Sequence, residues 1–335
     1  MRKFRLPDET GIFLVLLVVL VVLSILSPSF GTVHNGLTLL LNGAVIAFLA
    51  LGQTFVLLTG GIDLSTGANV AMTGVLAAVL MQHLPWPVAS LLAVGAGLVL
   101  GVINGLIIHY VKVPPFIVTF STQGVATAVP LIITGANSIS VRQAGFSWIG
   151  QGRVAGVPLP VIMLLVAAVA AGWFLTRTRL GVHVYASGGN KSAARLAGVD
   201  IRVVTILAYA VSGVCGGIAG LIATSRLMVG FPATGLGNEL FFSIAAAVVG
   251  GVSLFGGIGT VAGAMIGAVL IASVSNGMNV LNVSSYWQSL VIGLIILLGV
   301  SFDTYRRGLS GKSLLSALTS TSRKEPQKEK EPTAV

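Results

Sequence analysis

Asp63 stands in the stretch TGGIDLSTG (Thr59–Gly67), between two long apolar runs, and is one of only four acidic residues between Gly11 and Ser322. A lone carboxylate beside the hydroxyls of Ser65 and Thr66 can accept hydrogen bonds from backbone N–H groups, hold a cation or carry a proton. What surrounds it decides which. The other acids and all four histidines (His34, His83, His109, His183) fall at the ends of apolar runs, in connecting stretches or in the tails. A proton-moving chain keeps titratable groups at membrane depth, and an intramembrane protease needs paired Asp or metal-ligating His there. The sequence has neither pattern. Its single cysteine, Cys215, excludes an internal disulfide, and one Cys with scattered His makes no metal-ligand cluster. No cofactor is implied.

The SGKS tetrapeptide at Ser310–Ser313 fails as a phosphate-cradling loop. Arg306 occupies the position of the required earlier glycine, and the context is a helix end rather than a strand. The chain therefore reads as a non-enzyme whose energy, if it pumps, comes from another subunit. Sodium coupling through carbonyls and hydroxyls needs no titratable group, so an ion-coupled secondary transporter stands as the alternative.

What the apolar runs do contain is neutral and polar. Asn42, Gln53, Thr54, Asn104, Gln123, Asn276 and Asn279 are candidates for a substrate pathway, with Asn69, Thr119 and Gln288 in the same class. Amides and hydroxyls that both donate and accept suit an uncharged, polyhydroxylated solute. The same groups also serve as hydrogen-bonding glue between helices.

The elements that must position these residues follow from composition. Of 335 residues 55% are hydrophobic and 8% charged, and the mean hydropathy is +0.99. A soluble domain carries about 25% charged residues, so this chain cannot cover a globule with polar groups and must face lipid. The expected fold is an all-α integral membrane protein of about ten transmembrane helices, some short or broken. They are Gly11–Ser27, Leu37–Leu58, Ala68–Gln82, Val88–Tyr110, Pro114–Gly135, Val157–Leu175, Val203–Thr224, Leu240–Leu254, Ile258–Leu281 and Tyr286–Phe302. The first run follows charged residues like a signal peptide, but no small-residue cleavage motif follows, so it reads as an uncleaved span. Residues 1–10 form an N-terminal tail, 11–303 the membrane domain, and 304–335 a charged, disordered tail.

An even count places both termini on one side. With that side cytoplasmic, only Arg142, Arg153 and Arg226 of the 19 Lys and Arg lie outside, as the positive-inside rule requires. The net charge of +10 thus reflects topology and attraction to anionic lipid, not nucleic-acid binding. Glycines recur every four residues at Gly97, Gly101 and Gly105 and at Gly259, Gly263 and Gly267, a spacing that lets helices approach closely. TGGI at Thr59 is echoed by FGGI at Phe255, each between two apolar runs, with Gly67 and Gly263 in step. The echo is that of an internal structural repeat.

The stretch LALGQTFVLLTGGIDLSTGANVAMTG (Leu49–Gly74) resembles the hallmark segment of ABC-importer permeases for sugars, in the group related to the ribose permease. TRLGVHVYASGGNKSAARLAGVDI (Thr178–Ile201) is similar to that group's large cytoplasmic loop, and Gly250–Asp303 to its C-terminal third. The likeness runs over nearly all of Pro28–Asp303. It implies a permease of the bacterial inner membrane that works as a dimer, with a second copy or a paralogue. It also implies an ATP-binding subunit and a periplasmic or extracellular sugar-binding protein as partners. Phe241, where the group carries Asp, departs from the ribose-permease pattern, so the cargo implied is sugar-like rather than ribose in particular.

Within this frame Gly60, Gly61, Asp63 and Ser65 form a gate or cap motif. The glycines permit a tight reversal, and Asp63 is expected to accept from the first-turn N–H groups of the following helix. The largest inner loop, Thr176–Arg202, is expected to hold a short helix over Lys191–Ala197, capped by Asn190 and closed by Gly198. The resemblance makes this loop, with Lys191, Ala194 and Arg195, the docking site for the ATPase. The alternative is that its charges only enforce orientation and bind lipid headgroups.

Overall fold

The computed structural model describes residues 9–310. Its thirteen helices follow the apolar runs. They are α1 (Thr10–Leu26), α2 (Val33–Leu58), α3 (Thr66–Leu80), α4 (Trp86–Leu106, continued as a π-helical turn Ile107–Val111), α5 (Pro115–Thr134), α6 (Ser147–Gln151), α7 (Leu159–Arg177), α8 (Arg179–Gly189), α9 (Lys191–Leu196), α10 (Ile201–Leu227), α11 (Glu239–Val249), α12 (Val261–Val280) and α13 (Ser285–Ser310). Six are long and apolar enough to cross a membrane: α2, α4 with its extension, α5, α7, α10 and α12. Thr10–Leu26, Thr66–Leu80, Glu239–Val249 and Tyr286–Ser301 are apolar but shorter. Each expected segment overlaps one of these helices, and the protein is an all-α membrane protein.

The helix starts have local causes. Thr32, Thr178, Asn190 and Thr260 each lend a side-chain oxygen to a backbone N–H three residues on, at 2.9–3.2 Å. Prolines in the first turns of α4, α5 and α7 cost no hydrogen bond there. Most of α2 is buried, whereas most of α5 and α7 is exposed. The interior column is therefore α2 with α10, and α5 and α7 lie on the perimeter of the bundle. α10 packs on α4, α2 and α3, while α11 and α12 close the other side of α2.

Close approach is bought with glycine. A Cβ on Gly97 of α4 would lie 2.7 Å from the Gly213 carbonyl oxygen of α10, and one on Gly105 would lie 2.7 Å from Ile206 Cα. Gly101 between them faces the backbone of Tyr209. On the other side Gly263 and Gly267 of α12 lie against the carbonyls of Gly250 and Ala246. The glycine faces thus mediate helix contact.

Two expectations need correction, and one stretch to which the sequence assigned no structure is folded. The segment Leu240–Leu254 is helical only to Val249, because Gly251, Gly256, Gly257 and Gly259 all take positive φ and turn the chain until α12 begins at Val261. The loop Thr176–Arg202 contains two helices rather than one: α8 packs Val184 into the core ahead of the anticipated α9. The stretch between α5 and α7 is folded. Ile139–Ser140 (β1) pairs antiparallel with Val229–Gly230 (β4), Arg153–Val154 (β2) pairs with Val157–Pro158 (β3), and α6 packs on α10.

Candidate functional site

After Leu58 the chain reverses at Gly60, whose φ of +78° is open to glycine at little cost. Gly61 lies so close to the Tyr209 ring that a Cβ could not be accommodated. The chain then runs back beside α2. Gln53 confirms the register. With its amide oriented to satisfy both groups, Nε2 donates to the Asp63 carbonyl at 3.2 Å and Oε1 accepts from the Asp63 N–H at 3.3 Å.

Asp63 is buried, at 1% exposure. Its Oδ1 accepts from the Ser65 N–H at 2.9 Å and from Ser65 Oγ at 2.6 Å, and its Oδ2 accepts from Ser212 Oγ of α10 at 2.7 Å. Ser65 Oγ in turn accepts from Asn104 Nδ2 of α4 at 3.0 Å. Thr119 Oγ1 of α5 donates to the Ile62 carbonyl at 3.2 Å. One turn of backbone thereby ties together α2, α4, α5 and α10 at the start of α3. In a dry interior such bonds are strong, and losing a partner is costly.

The capping expectation is corrected here. Ser65 is the N-cap of α3 and its side chain makes no capping bond, while Asp63 bonds Ser65 itself rather than a first-turn amide. The carboxyl group acts between helices, not on one. α3 also begins beside α11: a Cβ on Gly67 would meet the Gly235 carbonyl oxygen at 2.6 Å and Leu240 Cβ at 3.4 Å. Short helices whose N-termini converge beside non-helical backbone are a frequent way of framing a transport pathway.

The two echoed GGI turns touch. Gly257 N–H donates to the Leu58 carbonyl at 2.9 Å. Gly188, at the end of α8, is wedged into the same place, where a Cβ would come within 2.6 Å of Gly257 N and even closer to the Leu58 oxygen. Gly256 lies equally close to Gly188 and Gly60, 2.8 Å from its virtual Cβ to each backbone. Tyr185 of α8 adds a bond from its hydroxyl to the Gly259 carbonyl at 2.9 Å. Three backbones without side chains thus lock α8 to both turns.

α9 forms where the sequence places it. Asn190 Oδ1 accepts from Ala193 N–H at 2.9 Å, and Gly198, with φ of +85°, closes the helix as its N–H donates to the Arg195 carbonyl at 3.0 Å. Lys191 and Arg195 are exposed, but Ala194 is buried against this chain's own core, at 5% exposure. Ala194 therefore cannot be a contact for a partner. Leu196, at 90% exposure, presents the apolar surface instead. Beyond it Asp200 caps α10, accepting from Arg202 N–H at 2.9 Å and Val203 N–H at 3.3 Å. The bond from Val203 N–H, with further help from Arg202, holds its carboxyl below the ordinary carboxylate value despite some desolvation.

The remaining polar candidates do not converge on one place. Thr54 Oγ1 bonds back to the Ala50 carbonyl at 2.7 Å. Asn42 Oδ1 accepts from Arg226 Nη2 at 2.6 Å, Asn276 Oδ1 from Asn35 Nδ2 at 2.9 Å, and Asn279 Oδ1 from Gln288 Nε2 at 2.6 Å. Gln123 is half-buried on α5. Of the candidates, Gln53, Asn104 and Thr119 join the Asp63 cluster. Sequence reasoning missed Ser212 and Gly188, and it read Arg226 only as a charge on the outer side. A serine on a small-residue helix face carries no mark of its partner, whereas Gly188 and Gly189 beside Asn190 repeated the glycine pairs of the two turns.

Residues 35–300 match the family described as the branched-chain amino acid transport system permease component. The chain is 36% identical to the D-allose transport system permease protein AlsC of Escherichia coli strain K12, over 88% of this chain and 91% of that one. It is 38% identical to the ribose import permease protein RbsC of the same strain, over 89% and 94%. To the ribose import permease protein RbsC of Bacillus subtilis strain 168 it is 41% identical, over 88% and 92%. No solved structure matches the chain.

Proposed function

Because the chain belongs to the branched-chain amino acid transport system permease family, we propose that it is the membrane permease of an ATP-driven ABC importer for a sugar or sugar-like polyhydroxylated solute. The similar proteins carry ribose import and D-allose transport in their names, and the neutral amides and hydroxyls of this chain suit such cargo. In this reading ten helices cross the bacterial inner membrane with both termini cytoplasmic, and the permease pairs with a second copy or a paralogue. An ATP-binding subunit works on the inner face, and a sugar-binding protein delivers cargo outside.

One observation carries the mechanical part. α8 is keyed by Gly188 into the Leu58 and Gly257 turns, and the Leu58 turn continues directly into the Asp63 cluster that joins α2, α4, α5 and α10. A push on α8–α9 has no side chain to absorb it. It passes backbone to backbone into the bundle, which is what an importer driven by a separate ATPase requires. The exposed Lys191, Arg195 and Leu196 form the docking face. An apolar anchor with a cationic rim suits a groove on a soluble subunit.

Co-expression of the permease with its ATPase tests this assignment. Leu196→Asp should insert at normal yield yet lose the copurifying ATPase. Retention of the ATPase and of sugar uptake would remove the docking role from α9.

A further inference from the structure

A cavity of about 300 Å³ lies between the α8–α9 pair and the helix bundle, at the lower end of the range for small-molecule sites. Tyr209, Thr205, Thr59, Ser187, Lys191 and Phe255 line it. Tyr209 is 1% exposed, and among the described residues its hydroxyl has no hydrogen-bond partner. It points at Gly61, another wall of the same cavity. A buried phenol left without a partner is a cost that a bound group can remove.

The other hydroxyls have a definite polarity. Thr59 Oγ1 donates to the Val56 carbonyl at 2.7 Å, Ser187 Oγ to Val184 at 2.8 Å, and Thr205 Oγ1 to Ile201 at 2.8 Å. Each proton is already used, so these oxygens present only acceptor lone pairs to the cavity. Three acceptors, one free phenol and one lysine favour a ligand rich in O–H donors. A phosphate needs donors and finds few. Ile108, Ile201 and Phe255 are among the lining residues and make part of the wall apolar, of the kind that packs against sugar C–H groups.

We infer that this cavity is a cytoplasmic regulatory site for a neutral monosaccharide, filled by the imported sugar as it accumulates. The inference rests on the reading of the chain as a sugar permease. The occupant sits between the coupling helices and the bundle, beside the Gly188 junction, and fixes the two together. Imported sugar therefore slows the cycle that brought it in.

The test uses the full permease–ATPase complex in lipid nanodiscs without the binding protein. ATP hydrolysis is followed as the sugar that the reconstituted system imports is added, with D-ribose, D-allose and L-arabinose as the first probes. Hydrolysis by the wild type should fall as sugar rises. Tyr209→Phe and Thr205→Val, which each remove one hydroxyl and keep the shape, should raise the half-inhibitory concentration about tenfold, the effect of one lost hydrogen bond. Hydrolysis without sugar should stay unchanged. Two variants guard against one failing to assemble, and binding of labelled sugar to the wild-type nanodisc complex gives a readout without mutation. Absence of both inhibition and inner-face binding by an imported sugar overturns the site but leaves sugar import standing. Inhibition by ribose 5-phosphate alone, or inhibition equal in wild type and both variants, also overturns it. If none of a full panel of sugars is imported, the underlying functional reading fails with it.

Discussion

Replacing Asp63 by Ala removes the acceptor for three hydrogen bonds: Ser65 N–H, Ser65 Oγ and Ser212 Oγ. A buried bond contributes about 0.5–1.5 kcal/mol net, and a donor left unsatisfied costs about 1–3 kcal/mol. The three losses are unequal. Ser212 sits inside α10 and can turn its hydroxyl to the carbonyl one helical turn back, a common refuge for serine. Ser65 N–H has no such escape, and Ser65 Oγ must still accept from Asn104. The expected cost is therefore about 3 kcal/mol, most of it at Ser65. Asp63→Asn keeps Oδ1 for both Ser65 donors and turns an N–H₂ toward Ser212, whose oxygen can accept, so its cost should be about 1 kcal/mol. Ser212→Ala should cost about 1 kcal/mol alone and almost nothing on top of Asp63→Ala, since contacting residues are non-additive. Thermal unfolding of purified protein in detergent, followed by fluorescence-detected size exclusion, gives the ranking. At roughly 2–4 °C per kcal/mol for a large domain, Asp63→Ala should lose about 6–12 °C in Tm. A loss below 2 °C, or Asn as damaging as Ala, would refute the inter-helix account.

The other predictions concern contacts and charge. Gly188→Ala should abolish ATP-driven uptake while leaving insertion and ATPase copurification intact, because a methyl group there must displace the Leu58 and Gly257 backbones; uptake by the purified complex reads it directly. Gly101→Leu or Gly263→Leu should cut yield and assembly, since each faces backbone of the neighbouring helix, and a normal yield would show that the helices can separate at no cost. Ala194→Glu should lose folded protein, not merely the ATPase, because the site is internal; size-exclusion profiles separate the two outcomes. Asp200 is held below its ordinary value of 3.8, so its cap stabilises α10 fully above that pH and is lost as pH falls through the lower folded value. The Tm advantage of wild type over Asp200→Ala should thus be flat from neutral pH down to about pH 5 and shrink below 3.8, and an advantage that instead vanished on raising the pH would contradict the capping geometry.

How far the sequence revealed these features depended on range. Helix positions are set by local apolar runs, so Leu37–Leu58 and Val203–Thr224 fell within α2 and α10 with only the ends displaced. The α9 ends were equally legible, because Asn190 and Gly198 act on neighbours three residues away. The face α9 buries was not legible. A six-residue helix has too few turns for a pattern, and Ala194 is small enough to lie on either side. Ser212 lies 149 residues from Asp63, and nothing in either neighbourhood names the other. The shortening of α11 is written in the four positive-φ glycines after it, but Gly259 also fits the four-residue packing spacing, which hides its role in the turn. The GGI echo was visible in sequence, but that the two turns meet, with Gly188 between them, comes only from the tertiary fold.

Sugar accumulation in sealed proteoliposomes tests the central claim most directly. The vesicles hold the permease with its ATPase inside and its binding protein outside. Accumulation should require internal ATP, stop when the ATPase is omitted, and persist when proton and sodium gradients are collapsed. Accumulation by the permease alone, driven by an ion gradient without the ATPase, would contradict the account.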